Sequence, residues 1–383
     1  MLFEVLFWAS LGAVMYSYAL YPLLVALLVR LGAGKRPRSG DAYRPSVSIV
    51  IACFNEEKVL PEKLKNLSST EYPEGSLEVV MGSDGSTDRT AEILNAWDFR
   101  NKKIHVCPDR RGKTHMLNDL LPLASGEIVV FSDANTLFEP TTVGRLVKWF
   151  ADPEVGATCG ELRLIPEHED AGGRGEISYW QFENWLKKQE SAYKTVLGAT
   201  GGVYAIRRSL YAPLPTDRSM ADDFITPLRI VRKGFRVVYA EDAVAYERTS
   251  GSLTGDFERK ARIGAQNFAG IADFAQLLLP QAGFVAFALW SHKIIRWCVP
   301  FLAILFLLSS IALQGQSPFY TWVIAAEIAF VVVAGLGFFV SLKRKTYGQV
   351  GLPFYILAMN CALLVGFFRF LSRSQQGTWE IIR

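Results

Sequence analysis

Asp133 and Asn135 follow the apolar run Ile128-Val129-Val130-Phe131, an acid and an amide two residues apart where a buried strand should end. If the strand continues through them their side chains share a face, because strand side chains repeat every second residue. Together they would offer a hard divalent cation one carboxylate and one amide oxygen. Two other apolar runs end in polar clusters, Cys53-Phe54-Asn55-Glu56 and Ser83-Asp84-Gly85-Ser86. Each Asp or Asn can instead cap a helix or turn. Three such clusters on one rim are more than capping requires.

Further along, Arg110, Arg111 and Lys113 gather at the start of a helical stretch. Free N–H groups and cationic side chains at a helix start favour phosphate, although a solvated basic turn has the same composition. The segment is not a Walker A loop, so an ATPase reading has little support. Asp222 and Asp223 open an amphipathic helix with Ile225, Leu228 and Val231 as its apolar stripe and Gly234 as its stop. Adjacent helical residues do not share a face, so one acid is expected to cap and the other to face the cleft. An aspartate facing a cleft can serve as general base on a hydroxyl; the alternative is two acids placed for the helix dipole.

The elements that must position these groups alternate between strand and helix. Strand signals cover 47–52, 77–83, 103–107 and 127–133, with helical stretches from Glu57 to Leu67, around Asp88–Trp97 and from Lys113 onward. VSIVIA is a continuous β-branched run, as expected of a strand buried on both faces. Short turns between such units argue a parallel sheet with helices on both sides, and ligands then bind beyond the carboxyl ends of the strands.

Around this core the chain is apolar: 50% of its 383 residues are hydrophobic, and the net charge is only +4. Leu2 to Val29 can cross a bilayer and lacks a basic n-region, so it reads as an uncleaved anchor rather than a signal peptide. Cys298–Leu313, Phe319–Leu342 and Gly351–Phe368 are further candidate spans, with Phe284–Trp297 as an interfacial lead-in. Lys35, Arg36, Arg38 and the Lys343-Arg344-Lys345 cluster favour the cytoplasmic side. Four full spans would leave Arg369, Arg373 and Arg383 outside, against the charge rule, so the last segment is read as either a span or a re-entrant or interfacial piece. Five scattered cysteines suit a reducing compartment without disulfides, and neither they nor His105, His115 and His168 show metal-ligand spacing. No basic stripe suggests nucleic acid.

VSIVIACFNEE, SDGSTDRT, RRGKTHMLN, EIVVFSDAN, GATGGVYAIRR and ADDFITPLRIVRKGFRVVY, in this order over Ser46 to Arg262, resemble the membrane-bound family 2 glycosyltransferases. That group includes hyaluronan, chitin and cellulose synthases and related exopolysaccharide transferases. The resemblance implies an α/β fold of the GT-A type, a Rossmann-like nucleotide-sugar domain between N- and C-terminal transmembrane helices. It also implies a nucleotide-diphosphate sugar donor, Mg²⁺ or Mn²⁺, and an inverting single displacement. By residue, it puts Phe54, Asn55 and Glu56 beside the base and ribose, Asp84 on a uracil-like base and Lys113 on the diphosphate. It puts Asp133 and Asn135 at the metal and Asp223 as base, with Asp222 in the place of the usual glutamate. Two positions depart from the family. Asn135 replaces the second acid of D-x-D, and Arg259-Lys260-Ala261-Arg262-Ile263 replaces Q-x-x-R-W. Arg262 keeps the cation for the diphosphate, but Ile263 removes the flat surface associated with a sugar acceptor, which leans toward addition of one or a few sugars.

Trp180 and Trp185, in the aromatic segment 176–194, and Gly201, in GATGG, are candidates for the acceptor; a helix packed through Ile177, Trp180 and Leu186 is the plainer reading. The expected organisation is an anchor over 1–34, a cytoplasmic catalytic domain over 41–256, interfacial helices over 257–297, transmembrane helices over 298–371 and a tail over 372–383. The expected protein is a multi-pass inner-membrane transferase moving a sugar, most readily from a UDP-sugar, to a lipid-linked or growing saccharide acceptor. A processive synthase that exports its polymer is the rival within the class. A catalytically inactive nucleotide-sugar sensor is the rival outside it.

Overall fold

The computed structural model describes residues 1–34, 37–165, 171–249, 253–344 and 351–374; Lys35, Arg36, His168, Lys345 and Arg383, weighed above, lie outside them. The N-terminal apolar segment is α1 (Leu2–Met15) and α2 (Tyr21–Arg30), joined by a π turn at Tyr16–Leu20. β1 (Val47–Cys53) is buried at every position, as a strand flanked by two others and covered on both faces must be. Its side chains divide by parity: Val50 and Ala52 enter one core, Val47, Ile49 and Ile51 the other. α3 (Leu60–Ser68), β2 (Leu77–Asp84), α4 (Thr90–Ala96), β3 (Lys102–Cys107), α5 (Lys113–Leu120) and β4 (Ile128–Phe131) follow in strand-helix alternation. β2 and β4 both pair in parallel with β1, and β3 pairs in parallel with β2. The order β3-β2-β1-β4 puts the point where the winding reverses between β1 and β4, the place where such sheets hold ligands.

The second half of the sheet corrects the all-parallel expectation. After β5 (Leu137–Phe138), α6 (Thr142–Val147), β6 (Val155–Ile165) and α7 (Ala171–Tyr193), strand β7 (Tyr204–Arg207) runs antiparallel between β4 and β6. β7 leaves the glycine-rich turn at 198–202 directly, without the helical crossover that a parallel entry needs. α8 (Asp222–Arg232) and β8 (Arg236–Arg248) complete the eight strands, and β5 closes the edge against β8.

β4 also ends two residues before Asp133. Asp133 and Asn135 sit in a turn, with the Thr136 N–H donating to the Asp133 carbonyl at 3.3 Å, so the alternate-residue argument for a shared face does not apply to them. The residue pairs with β1 end at Phe131, and the Ser132 N–H makes one more bond to the Val50 carbonyl at 3.2 Å before the chain turns at Asp133.

α9 (Leu253–Ala272) leads to the apolar C-terminal part: α10 (Phe284–Ala288), a π turn at Leu289–Ile294, α11 (Ile295–Trp297), α12 (Val299–Ala312), α13 (Pro318–Arg344) and α14 (Gly351–Leu371). Among the described residues, Leu2–Arg30, Pro318–Val340 and Leu352–Leu371 are long and apolar enough to cross a membrane. Phe284–Trp297 and Val299–Ala312 form a pair bent by 62°, with Pro300 early in the second member. α14 packs closely on α9. A side chain at Gly366 would meet the Ala261 carbonyl at 2.5 Å, so the missing side chain sets the distance between the two helices.

Candidate active site

The three polar clusters and the two remaining motifs meet at the carboxyl ends of β1, β2 and β4. Lys113, first residue of α5, places its ammonium 2.9 Å from Asp133 Oδ1 and 3.1 Å from Asp222 Oδ1. Burial works against its charge, but Asp133 and Asp222 more than offset this and hold its pKa above the ordinary lysine value. Burial likewise opposes the charge on Asp133, and Lys113, Lys63 and Arg262 together keep its carboxyl below the usual range.

Asp84 anchors the loop that carries Lys113. The Arg111 N–H donates to its Oδ1 at 2.9 Å and the Gly112 N–H to its Oδ2 at 2.7 Å, and Gly112 adopts φ 100° so that the chain can turn into α5. At the end of β1, Asn55 adopts φ 51° and its side chain accepts from the Thr87 N–H at 2.8 Å, tying the first two clusters together. The Glu56 N–H donates to Thr90 Oγ1 at 2.7 Å, and the Arg110 guanidinium lies 4.0 Å from the centre of the Phe54 ring.

Neither acid at the start of α8 caps it, which corrects the expected division of labour. Ala221 holds the N-cap position without a side-chain bond. Asp222 is engaged by Lys113 and by the Tyr204 hydroxyl, which donates to its Oδ2 at 2.8 Å. Asp223 turns toward Gly201: a Cβ on that glycine would lie 3.3 Å from Asp223 Oδ2 and 3.7 Å from Asp133 Oδ2. A single methyl group would therefore touch both carboxylates, and its absence leaves open space between them. Burial, then Asp222, pushes the Asp223 carboxyl up to about 6. Pro227 sits one turn into the same helix and has no N–H to give to Asp223's carbonyl. That carbonyl accepts from the Ala199 N–H at 2.7 Å instead, locking the glycine turn to the acid.

Arg262, on α9, acts electrostatically on Asp133; burial and then Arg259 lower its pKa. The two tryptophans separate. Trp180 is half-buried against the second core with Lys187 5.6 Å from its ring centre, whereas Trp185 is exposed and stacks on Phe182.

Several buried polar groups escaped the sequence reading. Lys63 is fully buried beneath the Asp133–Asn135 turn. Its ammonium donates to Ser132 Oγ at 2.8 Å and to the Thr136 carbonyl, so one side chain holds both ends of the turn. Burial brings its pKa down to about 7. Its signal was legible: Leu60, Leu64 and Leu67 define the apolar stripe of α3, and Lys63 falls within it. On α7, buried Glu183, Lys187 and Glu190 share a helical face in the same way. Lys187 donates to Thr200 Oγ1 at 2.9 Å, beside the glycine turn. Glu190 accepts from Tyr21 at 2.6 Å and lies 2.7 Å from His292 Nδ1, while Glu183 meets His292 Nε2 at 3.0 Å and Arg296. The Tyr21 bond joins α7 to α2, and the contacts with His292 and Arg296 join it to the bent helix pair and give His292 a structural place. Trp297 packs edge-on against Phe224, the neighbour of Asp223.

His105, Cys107 and Asp119 also come together, although nothing in their spacing indicated it: His105 Nε2 lies 3.3 Å from Cys107 Sγ and 3.7 Å from Asp119 Oδ2. The Arg111 guanidinium bonds both Cys107 and Asp119, so an internal cation already serves this cluster.

Compared with known proteins, residues 45–265 match the family model described as "Glycosyltransferase like family 2", more than half of the chain. A beta-monoglucosyldiacylglycerol synthase of Nostoc sp. is 32% identical over 170 residues, 43% of this chain and 36% of that protein. A probable glycosyltransferase of Bacillus subtilis is 30% identical over 215 residues, 53% of this chain and 51% of its own length. A poly-beta-1,6-N-acetyl-D-glucosamine synthase of Staphylococcus aureus is 23% identical over 239 residues, 61% and 57% of the two chains. The matched stretch thus spans between 36% and 57% of these relatives' lengths. Among solved structures, a mannosyltransferase from Pyrobaculum calidifontis in complex with GDP-Man and Mn²⁺ superposes with a TM-score of 0.69 at 26% identity, covering 96% of this chain and 97% of that one.

Proposed function

The chain belongs to the family 2 glycosyltransferases, and from that premise we propose that it transfers one or a few sugars, with inversion, from a nucleotide-diphosphate sugar to a lipid-linked or saccharide acceptor at the membrane. The observation that carries this reading is the Lys113–Asp133–Asp222 group, with Gly201 leaving room between Asp133 and Asp223. Apolar helices flanking the site on both sides in sequence support an acceptor near the bilayer. A UDP-sugar is the first donor candidate, from the Asp84 motif. A GDP-sugar is the second, because the mannosyltransferase that superposes over nearly the whole chain was solved with GDP-Man.

In this mechanism Asp223 takes the proton from the acceptor hydroxyl while that oxygen attacks the anomeric carbon from the face opposite the leaving group. Its raised proton affinity suits it to that task near neutral pH. The bond to the diphosphate breaks in the same step, and Lys113 and Arg262 take up the developing charge. Lys113 must exchange part of its present bonding to Asp133 and Asp222 for phosphate oxygens. Asp222, held by Tyr204, remains to orient the ammonium.

A divalent cation fits the residues present: Asp133 is ionised, its Oδ2 faces the open space at Gly201, and Asn135 offers an amide oxygen nearby. When bound, such an ion neutralises charge on the diphosphate. Mg²⁺ and Mn²⁺ both suit oxygen ligands of this kind and tolerate few protein carboxylates when phosphate and water complete the shell.

Replacement of the family's tryptophan by Ile263, which is itself partly exposed, favours short products over a processive polymer. Product length from purified protein tests this point: products that dissociate after a few additions agree with it, and long chains at low turnover number refute it. Thermal stabilisation by a panel of UDP- and GDP-sugars with each metal identifies the donor.

A further inference from the structure

One carboxylate beside the Asp133–Asn135 turn has no task in that mechanism. Glu247 stands near the end of β8. The two-residue ladder between β5 and β8 pairs Leu137 with Tyr246 and Phe138 with Ala245. One step further along this antiparallel register, Glu247 comes opposite Thr136 and next to Asn135. Glu247 Oε2 accordingly lies 3.3 Å from Thr136 Oγ1, and the Asn135 side chain hydrogen-bonds the same carboxylate. A carboxylate can only accept, so the amide presents its NH₂ end to Glu247 and keeps its oxygen for another partner. Asp133 and Arg259 are the charges that act most strongly on Glu247, so the acid belongs to the electrostatic group around the turn and not to a distant surface.

We propose that Glu247 supplies the second carboxylate of the divalent-cation site, in place of the acid missing at position 135. A hard cation binds carboxylates better than neutral amides, and a chain with Asn at the second position of D-x-D has lost one negative charge. The surroundings make that loss costly: Lys63, Lys113 and Arg262 all act on Asp133. Glu247 restores the charge from a strand more than a hundred residues away, either on the ion or through the amide of Asn135. In both cases the negative charge on Glu247 raises cation affinity. The proposal rests on the reading of Asp133 as a metal ligand.

The test is Mn²⁺ binding to the detergent-solubilised full chain, followed through the electron paramagnetic resonance signal of free Mn²⁺, in one series with UDP and one with GDP. Wild type is expected to bind and Asp133→Asn to lose binding. Glu247→Gln, which keeps size and hydrogen-bonding ability, is expected to weaken binding about 10-fold or more. Asn135→Asp combined with Glu247→Gln returns the charge to the turn and is expected to restore affinity. Wild-type affinity in Glu247→Gln together with lost binding in Asp133→Asn overturns the proposal and leaves the metal reading standing. Wild-type affinity in Asp133→Asn overturns the metal reading itself. A double variant as weak as Glu247→Gln overturns the substitution of one charge for the other. If Glu247→Gln does not fold, Glu247→Asp takes its place: an affinity between those of wild type and Asp133→Asn supports the proposal, and an unchanged one overturns it.

Discussion

Substituting Asp223 by asparagine is expected to cost activity and gain stability at once, because the same buried negative charge governs both. Its carboxyl is raised from 3.8 to about 6, first by burial and then by Asp222. Two pKa units are worth about 3 kcal/mol between the protonation states, and partial exposure to water reduces this to about 1–2 kcal/mol. The direction follows from linkage. A carboxyl whose folded-state value is raised stabilises the fold below its unfolded value near 3.8, and that contribution is lost as pH rises through 6. At neutral pH the wild type therefore carries the whole cost of ionising Asp223, and the asparagine variant avoids it. Among the described residues no hydrogen bond ties the Asp223 side chain, and the bond from the Ala199 N–H to its backbone carbonyl survives the change. In chelator, without donor, Asp223→Asn should melt a few degrees above wild type at about pH 7.5. The difference should shrink between pH 6 and pH 4, while turnover under loaded conditions falls by about 10²–10⁴-fold. A variant that melts at or below wild type at neutral pH, or whose advantage is the same at every pH, would refute the reasoning.

Three further outcomes are expected. Gly201→Ala puts a methyl 3.3 Å from Asp223 and 3.7 Å from Asp133, and should leave the melting temperature near wild type while lowering turnover about 10- to 100-fold. Asn135→Asp should keep activity and shift the Mg²⁺ to Mn²⁺ preference, measured from metal-saturation curves, whereas Asp133→Asn abolishes activity. Gly366→Leu forces α14 away from the Ala261 carbonyl and should raise the donor KM through displacement of Arg262; Gly335→Leu, at a glycine with nothing within 4 Å, is the control expected to be silent.

Which parts of this architecture were legible in the sequence has a physical reason. β1, β2 and β4 declare themselves because central strands covered on both faces must be largely apolar, and β1 is buried at all its positions; β3, at the sheet edge and only partly buried, gives a weaker signal. The motif residues could be placed because ligands gather at the carboxyl ends of such strands, and Asp84, Asp133, Lys113 and Asp223 lie there. Short segments were harder. β4 stops at Phe131 and β7 has four residues, too few for a period to be read, so neither the turn at Asp133 nor the antiparallel entry of β7 was visible. Partnerships across long separations leave no local trace: Tyr204 with Asp222, Glu247 with Thr136 and Tyr21 with Glu190 exist only because the sheet order and the packing of α2 bring them together. Lys63 and Lys187 are intermediate cases, cations within an apolar helical stripe, where burial could be read but the partner could not.

The most direct test of the central claim is release of nucleoside diphosphate by the purified full-length chain, over a panel of UDP- and GDP-sugars with membrane lipid extract as acceptor. Turnover is expected with one donor class; it requires Mg²⁺ or Mn²⁺, is lost in Asp133→Asn, and is lost in Asp223→Asn while donor binding persists. Turnover in Asp133→Asn equal to wild type, or no turnover with any donor in the panel, would contradict the claim.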